Sequence, residues 1–200
     1  MTQSGAVILG AGFARRFGSD KRLHPIGQSS VARTTLELYL QVFDQLRLVV
    51  RREDSALQQH VADLPVKVIS TDQAELGMGH SLRAGMTDLN WPFAFVGLLD
   101  MPFVQATTLQ HLAEAAAAAD YQRIIRPRLA HDNPDNGPGW GHPIGFPAAL
   151  FAQFSTLSGD QGARPLLTRY KTLVTEVRTD DQGIVRDIDH PDDLGLGAST

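Results

Sequence analysis

"VILGAGFARRFGSDKR", residues 7–22, decides how this chain is read. An apolar β-type run closes on Gly10 and Gly12, and Arg15, Arg16, Gly18 and Lys21 follow. A strand that ends in a glycine turn exposes backbone N–H groups, and the missing side chains let an anion approach them. Two familiar templates fail. The dinucleotide fingerprint G-x-G-x-x-G needs glycine where Arg15 stands, and the Walker A loop fails because Ser19, not lysine, follows Gly18. What stands is G-x-G-x-x-R-R-x-G-x-x-K. Neutral turns suffice for a pyrophosphate, whereas added cations suit the higher charge of a triphosphate. The plainer alternative is a tight turn with solvated basic residues.

Outward from this stretch, apolar β-type runs alternate with helical patterns. Strands are expected at 6–9, 46–50, 66–69, 93–99, 123–125, 144–146, 173–177 and 184–188. Several are continuously apolar, as in strands buried on both faces. Helices are expected at 29–45, 55–62, 81–88, 106–120 and 162–170. Residues 29–45 place Leu36, Leu40 and Phe43 on one stripe, and 106–120 are alanine-rich. The alternation implies one α/β domain over 1–200, with a mainly parallel sheet covered by helices. Residues 126–146 are dense in Gly, Pro, Asn and Asp and read as a long loop on the substrate side.

The totals exclude several classes. The net charge of −4 gives no support to a nucleic-acid partner. The chain has no cysteine, which removes disulfides and thiolate chemistry and agrees with a reducing cytoplasm. No apolar run reaches the roughly 18–20 residues of a membrane helix. The first residues lack a basic region before the apolar run, so a cytoplasmic protein is expected. The histidines show no zinc-ligand spacing, and G-x-S-x-G is absent.

Other residues carry possible chemistry. Asp100 closes a buried run, and the strand ends of open α/β sheets are where ligands bind. Magnesium favours carboxylate and phosphate oxygens, so Asp100 suits a metal beside a triphosphate, although strand-end aspartates also serve turns. Asp187 and Asp189 bracket Ile188, so a strand there would turn both carboxylates to one side. Asp189 is equally suited to capping a helix begun at Pro191. Ser81 follows "GMG" as a helix start, either at a ligand or as a simple cap. Asp160 also reads as a cap, with Arg164 a possible substrate contact. His142 is a loop histidine with either a local or a substrate role.

Six segments together resemble a known family. "LGAGFARRFGSDK" (9–21), "GMGHSLRAGM" (77–86), "LLDMPFV" (98–104), "GHPIGF" (141–146), "SGDQGARPLL" (158–167) and "DIDHPDDL" (187–194) stand in the order of the molybdenum cofactor cytidylyltransferases, of the MobA-like NTP transferase superfamily. Gly10 departs from the alanine usual there. The G-H-P and G-D-x-G-A-R segments, with Ala11, resemble the cytidylyl rather than the guanylyl branch.

The resemblance implies a nucleotidyltransferase Rossmann-like fold. It also implies Mg²⁺-dependent transfer of CMP from CTP to the phosphate of molybdopterin or molybdenum cofactor, with release of pyrophosphate. A recipient molybdoenzyme is a possible partner, and neither nucleic acid nor membrane is implicated. Catalysis is assigned to Arg16, Lys21 and Asp100. The nucleotide would meet Leu9, Gly10, Ala11, Gly12, Arg15, Arg16 and Lys21, then Thr71, Gly77, Ser81 and Asp100. The second substrate would meet Met101, Pro102, Gly141, His142, Pro143 and Arg164. The metal would sit on Asp100 and Asp189, with Asp187 an alternative. Guanylyl transfer and sugar- or alcohol-phosphate nucleotidyl transfer remain open on the same fold. Two readings from other classes are an NAD(P)H-dependent reductase and a chaperone for a pterin cofactor.

Overall fold

The computed structural model describes residues 4–12, 17, 20–131, 139–190 and 192–193. In chain order the strands and helices are β1 (Ser4–Leu9), β2 (Pro25–Ile26), β3 (Ser29–Ser30), α1 (Val31–Leu40), β4 (Leu46–Arg51), α2 (Ser55–His60), β5 (Lys67–Thr71), α3 (Met78–Met86), β6 (Phe93–Leu98), α4 (Ala106–Ala118), β7 (Ile124–Leu129), β8 (Ile144–Pro147), α5 (Arg164–Arg169) and β9 (Val174–Thr179). Seven strands form one sheet in the order β5-β4-β1-β6-β8-β7-β9. β1 pairs in parallel with β4 and β6, β4 with β5, and β7 with β9. β8 runs against both β6 and β7. The expected α/β class with a mainly parallel sheet is what the chain adopts.

The continuous apolar strands are explained by two cores, one on each face. Along β1, Ala6 and Ile8 enter the core under α1 and α4, while Val7 and Leu9 enter the core under α3. β6 divides likewise, with Phe93 and Phe95 on one face and Ala94 and Val96 on the other. A strand that feeds both cores has no polar side, so alternation is invisible in its sequence. Each buried Leu, Ile or Phe contributes roughly 1.5–3 kcal/mol.

The sheet delivers its parallel strand ends to one edge. Gly10 N–H donates to Val49 O at 2.8 Å, and Leu99 N–H donates to Leu9 O at 3.0 Å. The tips of β1, β4 and β6 are thereby locked side by side where open α/β sheets bind ligands.

Several expected elements are corrected. Residues 184–188 are not a strand: Gln182–Val185 form a single 3₁₀ turn and an irregular segment follows. The cause is Asp181, 4% exposed. Its carboxylate accepts from Gly183 N–H and, through the other oxygen, from Gln105 N–H and the Thr108 hydroxyl, each within 2.7–2.8 Å. It thus caps α4 from a distance and folds the chain over into a turn. Residues 126–146 are not one loop, because β7 runs to Leu129, Trp140 bridges to Arg128 and β8 begins at Ile144. The helix expected at 29–45 is Val31–Leu40, started by the Ser30 hydroxyl accepting from Arg33 N–H at 3.3 Å. Ser81 does not start its helix, which begins at Met78. Asp160 lies in a 3₁₀ turn, and α5 has no side-chain cap.

Among the described residues, no helix is long and apolar enough to cross a membrane.

Candidate active site

The tips of β1 and β6 and the start of α3 enclose a cleft of about 300 Å³. Its lining includes Leu9, Gly10, Ala11, Gly12, Lys21, Gly77, Ser81 and Asp100, all expected from the sequence. It also includes Asp187, the alternative metal ligand, and Arg22, Met78 and Asp160, which were not assigned a ligand there. Arg15 and Arg16 lie outside the described residues. Thr71 ends β5 and lines an adjoining groove that shares Ala74 with the cleft. Met101 and Pro102 are buried, Met101 in the core under α1 and α4. Gly141, His142, Pro143 and Arg164 belong to the neighbouring β8–α5 side rather than to the cleft lining.

Two motif segments far apart in sequence form one wall. Gly77 has φ +106°, and a side chain there would collide with the Gly159 carbonyl group. A Cβ on Gly79 would stand 2.7 Å from Ser158 N. The start of α3 therefore lies directly on the 158–162 turn, which brings Asp160 to the cleft. A Cβ on Gly12, by contrast, would meet nothing within 4 Å among the described residues.

The charged centre combines three chain segments. Asp100 lies in the turn just after β6 at the sheet edge, and its carbonyl accepts from Ile188 N–H at 2.9 Å. The Ile188 side chain is fully buried with Phe17 and Val31, which anchors the segment. The flanking Asp187 and Asp189 converge on Asp100, and one oxygen from each of the three lies within 4.8 Å of the others. The convergence expected of these aspartates is present, but an anchored turn produces it instead of strand alternation. Pro191, where the helix that Asp189 was expected to cap would begin, lies outside the described residues. The Asp193 carboxylate accepts from Asp189 N–H and His190 N–H at 2.8 and 2.6 Å. Partial desolvation, reinforced by the like charges of Asp100 and Asp189, raises the Asp187 pKa above the ordinary carboxylate value.

Lys21 answers this acidity. Its ammonium lies 2.7 Å from Asp100 Oδ2 and 3.1 Å from Asp189 Oδ1, and donates to Ile188 O at 2.6 Å. Burial works against its charge, but the two carboxylates outweigh that and hold its pKa above the ordinary lysine value. One ammonium among three carboxylates leaves net negative charge. Hard oxygen donors so arranged fit a divalent cation of the magnesium, manganese or calcium type.

Next to it, Arg22 does something different. It is 4% exposed. Its guanidinium forms paired contacts with Asp20 and with Asp54, and donates to Gly10 O at 2.6 Å. Asp54 also accepts from Arg51. Burial opposes ionisation of Asp54, yet Arg22 and Arg51 lower its pKa to about 2. The sequence reading missed this network. Its one signal was Asp20-Lys-Arg, a short-range acid–base pair that looks solvated until Asp54 is placed beside it.

The sequence profile of the MobA-like NTP transferase domain matches residues 6–174. The fold is similar to Rv0371c of Mycobacterium tuberculosis H37Rv, with 29% identity, a TM-score of 0.82, and coverage of 97% of this chain and 96% of that one. A complex of that protein with manganese aligns with 28% identity and a TM-score of 0.77 over 97% of each chain. Nicotine blue oxidoreductase of Paenarthrobacter nicotinovorans is 27% identical over 92% of this chain and 90% of its own. Purine catabolism protein PucB of Bacillus subtilis (strain 168) is 27% identical over 95% and 93%. With the glycine loop, the β6 tip and the acidic turn all in place and the profile spanning β1 to the start of β9, the chain belongs to the MobA-like NTP transferase domain family.

Proposed function

We propose that this protein is a divalent-cation-dependent nucleotidyltransferase that moves CMP from CTP to the phosphate of molybdopterin or molybdenum cofactor. The observation that carries nucleotidyl transfer is the meeting of Asp100, Asp187, Asp189 and Lys21 beside the glycine loop. The cytidine and the pterin rest on the resemblance of the "GHPIGF" and "SGDQGARPLL" segments. A molybdoenzyme receiving the product is part of the same proposal.

Asp100 and Asp189, with Asp187 beside them, would hold Mg²⁺. Such a cation would supply positive charge to the phosphate oxygens. The manganese complex of Rv0371c supports a divalent ion in this fold. Ala11 and Gly12 offer backbone N–H groups to the triphosphate, and Lys21, with Arg15 and Arg16, supplies positive charge to the α-phosphate and the leaving pyrophosphate. An oxygen of the acceptor phosphate forms the new bond to the α-phosphorus. The α–β bridging oxygen leaves with the electron pair as pyrophosphate. The acceptor phosphate is already ionised near neutral pH, so the step requires positioning and charge neutralisation rather than a strong base. Exposed Met78, in the cleft lining, offers an apolar surface for a base.

The test is pyrophosphate release with each ribonucleoside triphosphate and Mg²⁺, with and without molybdopterin. Release that is selective for CTP and dependent on the pterin is expected. Selectivity for GTP would move the assignment to guanylyl transfer, and no release with any of the four would reject nucleotidyl transfer. A second reading, NAD(P)H-dependent reduction, is favoured by the similarity to nicotine blue oxidoreductase. Against it stand Arg15 in place of the third glycine and the acidic cluster, which repels a pyrophosphate. Fluorescence titration with NADH and NADPH separates the two, with no saturable binding expected.

A further inference from the structure

The seven-stranded sheet ends on an open strand. β9 pairs with β7 on one side, and among the described residues no strand pairs with its other side. Thr179 is the register partner of Leu129, and its carbonyl accepts from Ala130 N–H at 2.8 Å, so its backbone faces β7. Backbone groups alternate along a strand, so Thr175 and Val177 face β7 as well, while Glu176 and Arg178 turn their N–H and C=O groups outward. The side chains of Glu176 and Arg178 are exposed, while Val177 on the opposite face packs against the core under α1 and α4. An outward row of backbone donors and acceptors is a template for a further strand.

The charges on β9 select that strand. Arg128 and Arg178 are register partners on one face, so two guanidinium side chains start side by side. Arg128 pairs with Glu176 at 3.4 Å, whereas the Arg178 side chain forms no ion pair or hydrogen bond among the described residues. Edge charges often keep other strands away. Here their spacing admits one partner. When a second β9 runs antiparallel about a twofold axis at Val177, Glu176 stands directly opposite Arg178 of the second copy, and Arg178 opposite its Glu176. These are the residues whose backbone groups face outward, so each opposed pair can exchange both N–H···O bonds. A twofold centred on Glu176 or on Arg178 would set like charges face to face, which opposes those registers.

We propose that this chain forms a twofold dimer through antiparallel pairing of β9 with β9 of a second copy, which joins two seven-stranded sheets into one. Cross-strand pairs of Glu176 with Arg178 fix the register, and the two Val177 residues meet at the axis. One pair of six-residue strands is small beside the roughly 1,200–2,000 Å² of a standard interface, so the dimer should dissociate on dilution. The proposal does not depend on the chemistry of the cleft.

Sedimentation velocity over a dilution series tests it. Wild type should pass from monomer to dimer as concentration rises. Arg178→Glu sets acid opposite acid twice across the axis and should weaken dimerisation about tenfold or more. The exchange of Glu176→Arg together with Arg178→Glu should restore dimerisation to near wild type, because unlike charges again face one another and Arg128 again has an acid beside it. Arg178→Pro removes a donor that faces outward, so β7 keeps its hydrogen bonds while the dimer should be lost. Should that variant fail to fold, the charge exchange, confined to exposed side chains, still decides. A wild type that stays monomeric at its highest soluble concentration overturns the proposal. So does a dimer that Arg178→Glu leaves intact, or a weakened dimer that the exchange does not restore.

Discussion

Lys21 and Arg22 are neighbours in sequence and opposites in setting. Arg22 closes a network in which two carboxylates and a backbone carbonyl consume its donors. Lys21 faces three carboxylates, which it cannot neutralise alone. The difference separates scaffold from site. A buried charge whose partners balance it holds the chain in place, whereas a cluster left with excess charge is arranged for something that arrives from solution.

The comparison can be broken most forcefully at Arg22. Removing one partner of a buried ion pair strands the other, so Arg22→Ala should lose about 3–5 kcal/mol of unfolding free energy in urea titration. A loss below about 1 kcal/mol would mean that the network is not structural. Lys21→Ala and Asp100→Ala should each lower the pyrophosphate release rate at least about 100-fold, near 2.7 kcal/mol, as for other charge-stabilising groups. Their urea midpoints should shift much less than that of Arg22→Ala. Turnover near wild type would remove both residues from the site.

Acid sharpens the contrast. The folded pKa of Asp54 is about 2, against an unfolded value near 3.8. Its contribution is therefore complete above pH 3.8 and is lost as pH falls towards 2. The loss should be on the order of 2 kcal/mol in wild type and largely absent in Asp54→Asn, measured by denaturation at stepped pH. The smallest effect is expected at Asp187. It is exposed, so solvent screens its repulsion from Asp100 and Asp189. Asp187→Asn should raise the thermal midpoint by a degree or two at most, and a clear fall would show that this carboxylate stabilises the fold.

Much of this fold was legible in the sequence because β1, β4 and β6 are apolar on both faces, and continuous apolar runs survive as a signal in one dimension. Helices α4 and α2 were found within a few residues. The turn at 182–189 was misread because its form depends on Asp181 reaching Gln105 and Thr108, partners far away in the chain. The cleft was legible where chemistry is local: the glycine loop, the β6 tip at Asp100 and the paired aspartates around Ile188. Arg22 was not, because Lys21 and Arg22 present the same charge in sequence and only Asp54 tells them apart. β7 was cut short at residue 125 for a related reason: residues 126–129 stand at the head of a Gly- and Pro-rich stretch that reads as loop.

The central claim is that the acidic cluster and Lys21 bind a nucleoside triphosphate together with a divalent cation. Isothermal titration calorimetry of CTP, with Mg²⁺ present and then removed by chelation, tests it most directly. Saturable heat with Mg²⁺ that disappears on chelation and in Asp100→Ala is the expected result. Binding of equal strength without the cation, or no heat from any ribonucleoside triphosphate in its presence, would contradict it.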